Sequence, residues 1–512
     1  VYTYTVGLMT SANTTHFLTR TSNLGNGMTL AQAEDSNSAG FGSYHFEADN
    51  PSDIGSAMTA AINAILERPS SSSAVSLLVT PGSGDGMVVQ AYFREQEPNT
   101  GANEVKWTGH LHGLWVDSQG NLREDSDLNH TLNTANDNIV TYFVDPVDGN
   151  TKVKRFVGSS SEYTIIELDN LVPIWSASKN LASMDPADRT IFTYTDSDND
   201  RTTDSDADST DNTGEVINFT TDNQAQIQPF LGVADSTWDY LNSSGVTTHA
   251  NRAENLINYI RGTAVSGPRP RTVNGQVWKL GDIVNSTPVT VSAPADNYHR
   301  IYQDESYRDF YTHYQDRETM VYVGANDGML HAFTSWQYNS ATSSFSQPTS
   351  TTEAMGDEIW AYIPQALLPH LKWLADPNYT HVYYADIKPK VFDAQILPDN
   401  THYTDSDSEA DWGTFLMLGL NHGGKTISVD AANGFSSDRT FSSSYSLIDI
   451  TEPRSPKLLW ERTYDNLQAT TSFPAIVKVD DSWYAVFGSG PDFCSGNSTQ
   501  VANVYVVDLA TG

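Results

Sequence analysis

The chain has 512 residues, too many for one ordinary compact domain unless that domain is a barrel or a propeller. Hydrophobic residues at 38% and aromatics at 11% supply a real core and exclude global disorder. A net charge of −35, from 63 acidic against 28 basic residues, excludes nucleic acid as a partner, since that binding rests on counterion release by Lys and Arg.

In chain order, VYTYTVGL (1–8) alternates as a strand should. The stretch 48–73 reads as a helix: Asn50 is placed to cap it, Pro51 suits its first turn and Asp53 its positive end. Ile54, Met58, Ile62 and Ile65 fall near one face, and Pro69 with the serines behind it ends the helix in a linker. One strand and one helix make the tail of an α/β unit, so residues 1–73 form one piece and 74–512 another.

From Ala74 onward the pattern is short strands, turns and aromatics. Strand clusters begin near residues 76, 286, 388 and 472. The last three share one grammar: an extended strand, a loop, a strand ending in glycine, then an apolar strand ending near Asp or Phe. That grammar predicts a mainly β, insertion-rich β-propeller with about four blade-like units present, the natural protein continuing past Gly512. Ala253–Arg261 and Pro364–Ala375 carry apolar residues at helical spacing and read as helical insertions. No run of about 18 apolar residues exists to span a bilayer. Cys494 is the only cysteine, which rules out an intrachain disulfide and a cysteine zinc site. The start at Val1, without a leader-like segment, reads as a processed product or a fragment.

Three acidic stretches are candidates for chemistry. In residues 193–215, Asp196, Asp198, Asp200 and Asp204 fall as D-x-D-x-D-x-x-x-D, with the Thr202 carbonyl as a seventh-position ligand. A hard cation such as Ca²⁺ needs alternate oxygen ligands of this kind. Asp204, Asp206, Asp208 and Asp211 make an overlapping register. The competing reading is a disordered acidic insert, since position six lacks the usual glycine. In residues 124–138, Asp125, Asp127, Asn129, Thr131 and Asn133 take positions one, three, five, seven and nine of an EF-hand-like loop. Leu132 is its apolar eighth residue and Asp137 the closing carboxylate, one place late; the alternative is a plain polar turn with His130 where glycine is preferred. The alternating acids at 405–411 lack a closing ligand and read as a solvated loop.

For the histidines, the structural reading wins. His110 and His112 share one strand face, but no third ligand is identifiable. In VYVGANDGMLHAF (321–333), Asn326, Asp327 and Gly328 read as a turn with Asp327 capping amides, and His331 as a satisfied buried histidine. No Gly-x-Ser-x-Gly, Walker or His-Glu-x-x-His motif occurs, so the chain reads as a non-enzyme.

Several of these strings carry a resemblance. VYVGANDGMLHAF, WKLGDIVNSTPV (278–289), GDEIWAYIPQALLPHL (356–371) and NYTHVYYAD (378–386), with INYIRG (257–262) ahead of them, resemble the PilY/PilC family of type IV pilus-tip proteins over 74–512. Residues 1–73 are similar to the end of the von Willebrand A domain that precedes the propeller in that family. The resemblance implies a quinoprotein-like propeller with calcium loops and no known catalysis. It also implies an extracellular protein at the pilus tip, contacting minor pilins and a host or environmental surface, with roles in adhesion and in pilus extension and retraction. Two features depart from the family pattern. The von Willebrand metal motif would lie upstream of Val1, and no calcium loop of the family type follows Asp508. Arg261-Gly262-Thr263 is the nearest match to Arg-Gly-Asp and gives integrin binding no support. Rival readings are a secreted quinoprotein-like oxidoreductase, though one cysteine precludes the vicinal pair many such enzymes carry, and a purely structural propeller of a surface assembly.

Overall fold

The computed structural model describes residues 5–8, 12–25, 32–33, 36, 45–48, 74–79, 86–97, 104–145, 151–157, 160–197, 199, 214–339, 344–346, 353–399, 401–403, 411–492 and 500–512. The chain divides into two compact units, one of residues 1–71 with 143–152, the other of 72–142 with 153–512. In the first, Thr5–Leu8 pairs in parallel with His45–Ala48, Thr5 opposite His45. Parallel neighbours need a crossover, and the helix Ala12–Gly25 lies between them in the chain. A local α/β arrangement is therefore present, while the helix expected within 48–73 lies outside the described residues.

In the second unit, three of the four expected strand clusters each own a sheet in which successive strands pair antiparallel. The first of these sheets runs Val289–Val291, Met320–Gly324, Leu330–Thr334 and Glu358–Ile363. The next is Lys390–Leu397, Asp411–Leu418, Tyr445–Asp449 and Lys457–Arg462. The last is Ala475–Val479, Ser482–Gly488 and Val504–Asp508. Neighbouring sheets pack face to face: Tyr322, Ala332 and Trp360 from one share an apolar cluster with Leu416, Ile448 and Leu458 from the next.

Two departures from the sequence reading have physical reasons. The cluster near residue 76 is no four-stranded blade but part of an eight-stranded sheet reaching Trp175–Ser176. Its later strands carry little periodic signal, since TKVKRF (151–156) is mostly polar and half-buried and YTIIE (163–167) is mostly exposed on both faces. The sheet containing Met320–Gly324 also gains Ile191–Tyr194, parallel to Glu358–Ile363, and Val216–Asn218 beyond it.

The expected helix at 253–261 is present as His249–Arg261, with the Thr248 hydroxyl accepting from the Asn251 N–H at 3.1 Å and Gly262 closing it at φ +111°. It buries Leu256, Ile257 and Ile260 against Leu367, Leu368 and Leu371. The segment at 364–375 is instead a 3₁₀ turn, Gln365–His370, followed by the short helix Leu371–Leu374. Pro369 removes an amide there, which favours the tighter winding. Among the described residues no helix is long and apolar enough to cross a membrane.

Gly324 ends the Met320–Gly324 strand where a Cβ would lie 2.3 Å from the Ala385 carbonyl oxygen. Gly324→Ala should therefore cost about 2 kcal/mol through forced overpacking. Gly488→Ala, at the matching strand end of the last sheet, should cost far less, since nothing lies within 3.8 Å of its Cβ. Urea unfolding of both variants checks this, and equal midpoints would count against it.

Candidate functional site

The loop from Asp125 to Asp137 follows the strand Leu122–Arg123 and is wound around its two end carboxylates. Asp125 is fully buried and anchored by its N–H to the Val172 oxygen at 2.8 Å. Its Oδ1 accepts from the Asn129 N–H at 3.3 Å and its Oδ2 from the His130 N–H at 3.2 Å. Asp137, also buried, accepts from the Ser126 N–H at 2.9 Å and the Asn133 N–H at 2.7 Å. Arg123 braces the loop from behind, its Nη1 donating to the Asp137 carbonyl at 2.6 Å and its Nε to Asp117 at 2.7 Å.

The winding explains how His130 occupies the position where glycine is preferred. His130 takes φ +55° and Leu128 +57°, so the left-handed turn is made without glycine. The His130 ring offsets part of that cost through Nδ1, 3.2 Å from Asp125 Oδ2. Leu132, the apolar eighth residue, is half-buried against the core cluster of Met87, Val89 and Leu111.

Carboxylate oxygens of Asp125, Asp127 and Asp137 all lie within 4.8 Å of one another, with Asp127 exposed. Asn129 and Thr131 stay on the exposed side, Asn129 Oδ1 accepting from the Thr131 N–H at 2.7 Å. Burial raises the pKa of Asp125 and Asp137, against the amide hydrogen bonds that lower it, and the neighbouring Asp127 charge pushes both further up. Three hard oxygen donors in mutual electrostatic conflict suit a hard cation, which would remove that conflict.

The other aspartate run divides differently. Asp196 follows the strand Ile191–Tyr194 and is turned inward, its Oδ2 3.1 Å from Arg439 Nη2 and its N–H donating to Gln365 Oε1 at 2.6 Å. Arg439 is packed against the rings of Phe230, Phe435 and Phe441. The first residue of the alternating pattern is thus committed to an ion pair. Asp198, Asp200, Thr202 and Asp204 lie outside the described residues. At 405–411, read from sequence as a solvated loop, Asp411 is instead buried at the start of a strand, accepting from the Thr401 N–H at 2.8 Å; the rest lie outside the described residues.

His110, His112 and His331 are buried and hydrogen-bonded. His110 is 2.7 Å from Glu97 and stacked on Tyr92, and burial lowers its pKa against the carboxylate's pull. His112 is pushed down to about 3 by burial and by the His110 and Lys179 charges. His331 lies fully buried between two acids, with Nδ1 2.7 Å from Glu358 and Nε2 3.1 Å from both Asp327 oxygens. Glu358 is in turn gripped by Arg189, at 2.7 Å through Nε and 2.9 Å through Nη2. Asp327 caps the Met329 amide at 3.2 Å, as its turn position predicts, and also the Gly281 amide 46 residues away at 2.7 Å. Sequence reasoning missed Arg189 and Glu358; the available signal was an acid opening the otherwise apolar strand EIWAYI.

A family model described as the PilY1 beta-propeller domain matches residues 280–512. The type IV pilus biogenesis factor PilY1 homolog of Xylella fastidiosa (strain Temecula1) is 30% identical over 279 residues, 52% of this chain and 18% of that protein. The type IV pilus biogenesis factor PilY1 of Pseudomonas aeruginosa (strain UCBPP-PA14) is 28% identical over 299 residues, 54% of this chain and 21% of that protein. The matched region thus spans about a fifth of these relatives' length. The crystal structure of the Pseudomonas aeruginosa PilY1 C-terminal domain is 24% identical and is matched over 44% of this chain and 35% of that one at a TM-score of 0.28.

Burial pulls the His331 pKa down, but the Asp327 charge and the hydrogen bonds to Asp327 and Glu358 outweigh it and raise it to about 9. A raised folded-state pKa contributes stability that is complete below the unfolded value of about 6.5 and lost as pH rises through 9. The chain should therefore lose up to on the order of 3 kcal/mol between those limits. His331→Gln should be less stable at pH 6 and flatter above it. Urea midpoints across that window check this, and parallel pH profiles for the two proteins would refute it.

Proposed function

We propose that this chain, PilY1-type over residues 280–512, is the propeller-bearing part of a type IV pilus biogenesis factor that works at the cell surface by binding rather than by catalysis. The match of residues 280–512 to the PilY1 propeller carries the reading, and the printed names of the Xylella and Pseudomonas relatives support it. On this reading the protein is extracellular, sits at the pilus tip in contact with minor pilins, meets a host or environmental surface, and influences pilus extension and retraction.

The charge balance fits such a role, since a net charge of −35 repels polyanions and leaves room for divalent cations. Two acidic stretches would hold Ca²⁺: the loop closed by Asp125, Asp127 and Asp137, with Asn129 and Thr131 beside them, and the run Asp198, Asp200, Thr202 and Asp204, with Asp196 kept by Arg439 as its inner anchor. Bound Ca²⁺ would neutralise converging carboxylates. The chain's own contribution is the amide scaffold that already aims Asp125 and Asp137 inward, so ordering costs little entropy. The loop stiffened in this way would present a fixed surface to a pilin. A non-enzymatic role accords with the histidines, whose ring nitrogens facing Glu97, Asp327 and Glu358 are engaged in structural contacts.

Asp127 is the residue to change, because it is exposed and, among the described residues, its carboxylate accepts one hydrogen bond, from Asn136 at 3.2 Å. Asp127→Asn should weaken Ca²⁺ binding by about tenfold, while stability in EDTA stays within about 0.5 kcal/mol. Calorimetric titration checks it, and either an unaltered chain that binds no Ca²⁺ or a variant binding equally well would sink the loop's role. Pull-downs of minor pilins with Ca²⁺ or EDTA test the partner. Capture in neither condition would retire the pilus-tip reading.

A further inference from the structure

The stretch Pro268-Arg269-Pro270-Arg271 sets two arginines at alternate positions of a backbone that two prolines hold extended. The Arg269 N–H donates to the Ala375 oxygen at 3.0 Å, and the Arg271 oxygen accepts from the Trp278 N–H at 2.7 Å, so the segment is fastened on both sides. Both side chains line one cavity of about 20 Å³, walled by Trp107, Trp278, Asp282, Asp327 and Tyr379. Arg269 lies over the Tyr379 ring at 3.9 Å, and Arg271 over the Tyr259 ring at 3.8 Å.

The hydrogen-bond accounting leaves a surplus of donors. Arg271 Nη2 donates to the Tyr259 oxygen. Nε and Nη1 of Arg269 and Nε of Arg271 are buried with no acceptor among the described residues. The acids in the wall are already engaged. Asp282 accepts from Asn326 Nδ2 at 2.7 Å and faces His381 Nε2 at 2.7 Å, while Asp327 serves Gly281 and His331. The other cations are spent too: Lys279 on the Leu181 and Ala182 oxygens, both at 2.9 Å, and Lys106 on Glu104 at 2.8 Å. Two neighbouring guanidiniums with unanswered N–H groups, in a chain of net charge −35, form a local exception to its electrostatics. Trp107 marks the same wall: it is held at φ +57°, rare for so bulky a residue, with its ring 4.0 Å from that of His381.

We propose that Arg269 and Arg271 form an oxyanion site that takes a carboxylate head group. A volume near 20 Å³ admits about one water-sized group, so one carboxylate oxygen enters between the guanidiniums while the second oxygen and the rest of the ligand stay at the mouth. A planar acceptor with two oxygens can answer N–H groups from both guanidiniums at once, which a chloride ion cannot. The head group comes either from a small free acid or from an acidic residue or terminus of a polypeptide.

The test uses the whole chain and two probes, sodium acetate and a short peptide ending in aspartate, each against sodium chloride at equal ionic strength. Thermal melts and saturation-transfer NMR read the binding. Acetate should raise the melting temperature along a saturable curve that chloride does not reproduce. Arg269→Lys and Arg271→Lys keep the charge but lose the fork, and each should raise the half-saturating concentration about tenfold. A tighter peptide assigns the head group to a polypeptide and equal binding assigns it to a free acid; either result upholds the site. Identical responses to acetate and chloride, or lysine variants with unchanged half-saturation, overturn it. Should a variant fail to fold, the acetate-against-chloride comparison on the unaltered chain still decides. Ca²⁺ titration is untouched by this outcome, so the acidic-loop reading stands or falls separately.

Discussion

Arg189, Glu358, His331 and Asp327 bring two positive and two negative charges into an interior where their side chains are at most 6% exposed. A single charge there would be uncompensated at a cost of several kcal/mol, so the four must arrive together. They come from four places: the approach to one strand, the start of another, the second residue of a third and the turn before it. Arg189 Nη1 also reaches the Arg261 oxygen at 2.9 Å, which fastens the end of the helix His249–Arg261 to the same point. Such a set adds little net stability over an apolar core, but it discriminates strongly among alternatives. A one-residue slip of Leu330–Thr334 would turn His331 to the opposite face and strand Glu358. The bulge between Ala332 and Phe333 lies two residues from that anchor, so the irregularity in the ladder is placed next to a fixed register.

Sheet membership of the later clusters was legible because it is written locally. Met320–Gly324 and Leu330–Thr334 are joined by Asn-Asp-Gly, and their alternation needs no distant partner to be read. Non-local pairing left no such trace. Nothing around Ile191–Tyr194 announces that it lies beside Glu358–Ile363, and the proline at 369 turned an apparent helix into a 3₁₀ segment although the apolar spacing looked helical. The candidate cation loop was legible in part for the same reason. Its positions one, three and twelve-plus-one are a local pattern, and the missing glycine at position six is accommodated by His130. The Arg439 partner of Asp196 lies more than two hundred residues away, so the inward turn of that aspartate could not be read from alternation.

The acidic character of the chain therefore resolves into different kinds of carboxylate. Some, such as Glu358 and Asp196, are internal and balanced by arginine. Asp125 and Asp137 are internal and their carboxylates are held by backbone amides, with the His130 ring beside Asp125 and the Arg123 guanidinium on the Asp137 carbonyl rather than on its carboxylate. Amide dipoles orient a carboxylate without neutralising it, and that difference separates a structural acid from one prepared for a cation.

The parallel pairing of Ile191–Tyr194 with Glu358–Ile363 has a consequence for how the chain comes into being. Thr193 bonds to the Ile363 carbonyl across 170 residues of sequence. At a synthesis rate of about 5–20 residues per second, the earlier strand waits on the order of ten to thirty seconds for its neighbour to exist. During that interval its four buried residues, Ile191 to Tyr194, have a companion only in Val216–Asn218, and one edge of this apolar ribbon is open. The segment in between is meanwhile a loop whose ends have not met, and its closure carries an entropy cost that rises slowly with its length. Maturation of the second unit is thus timed by its own length. A chaperone that shields residues 191–218 until residue 363 emerges would shorten no step, but it would decide how many chains survive to reach it.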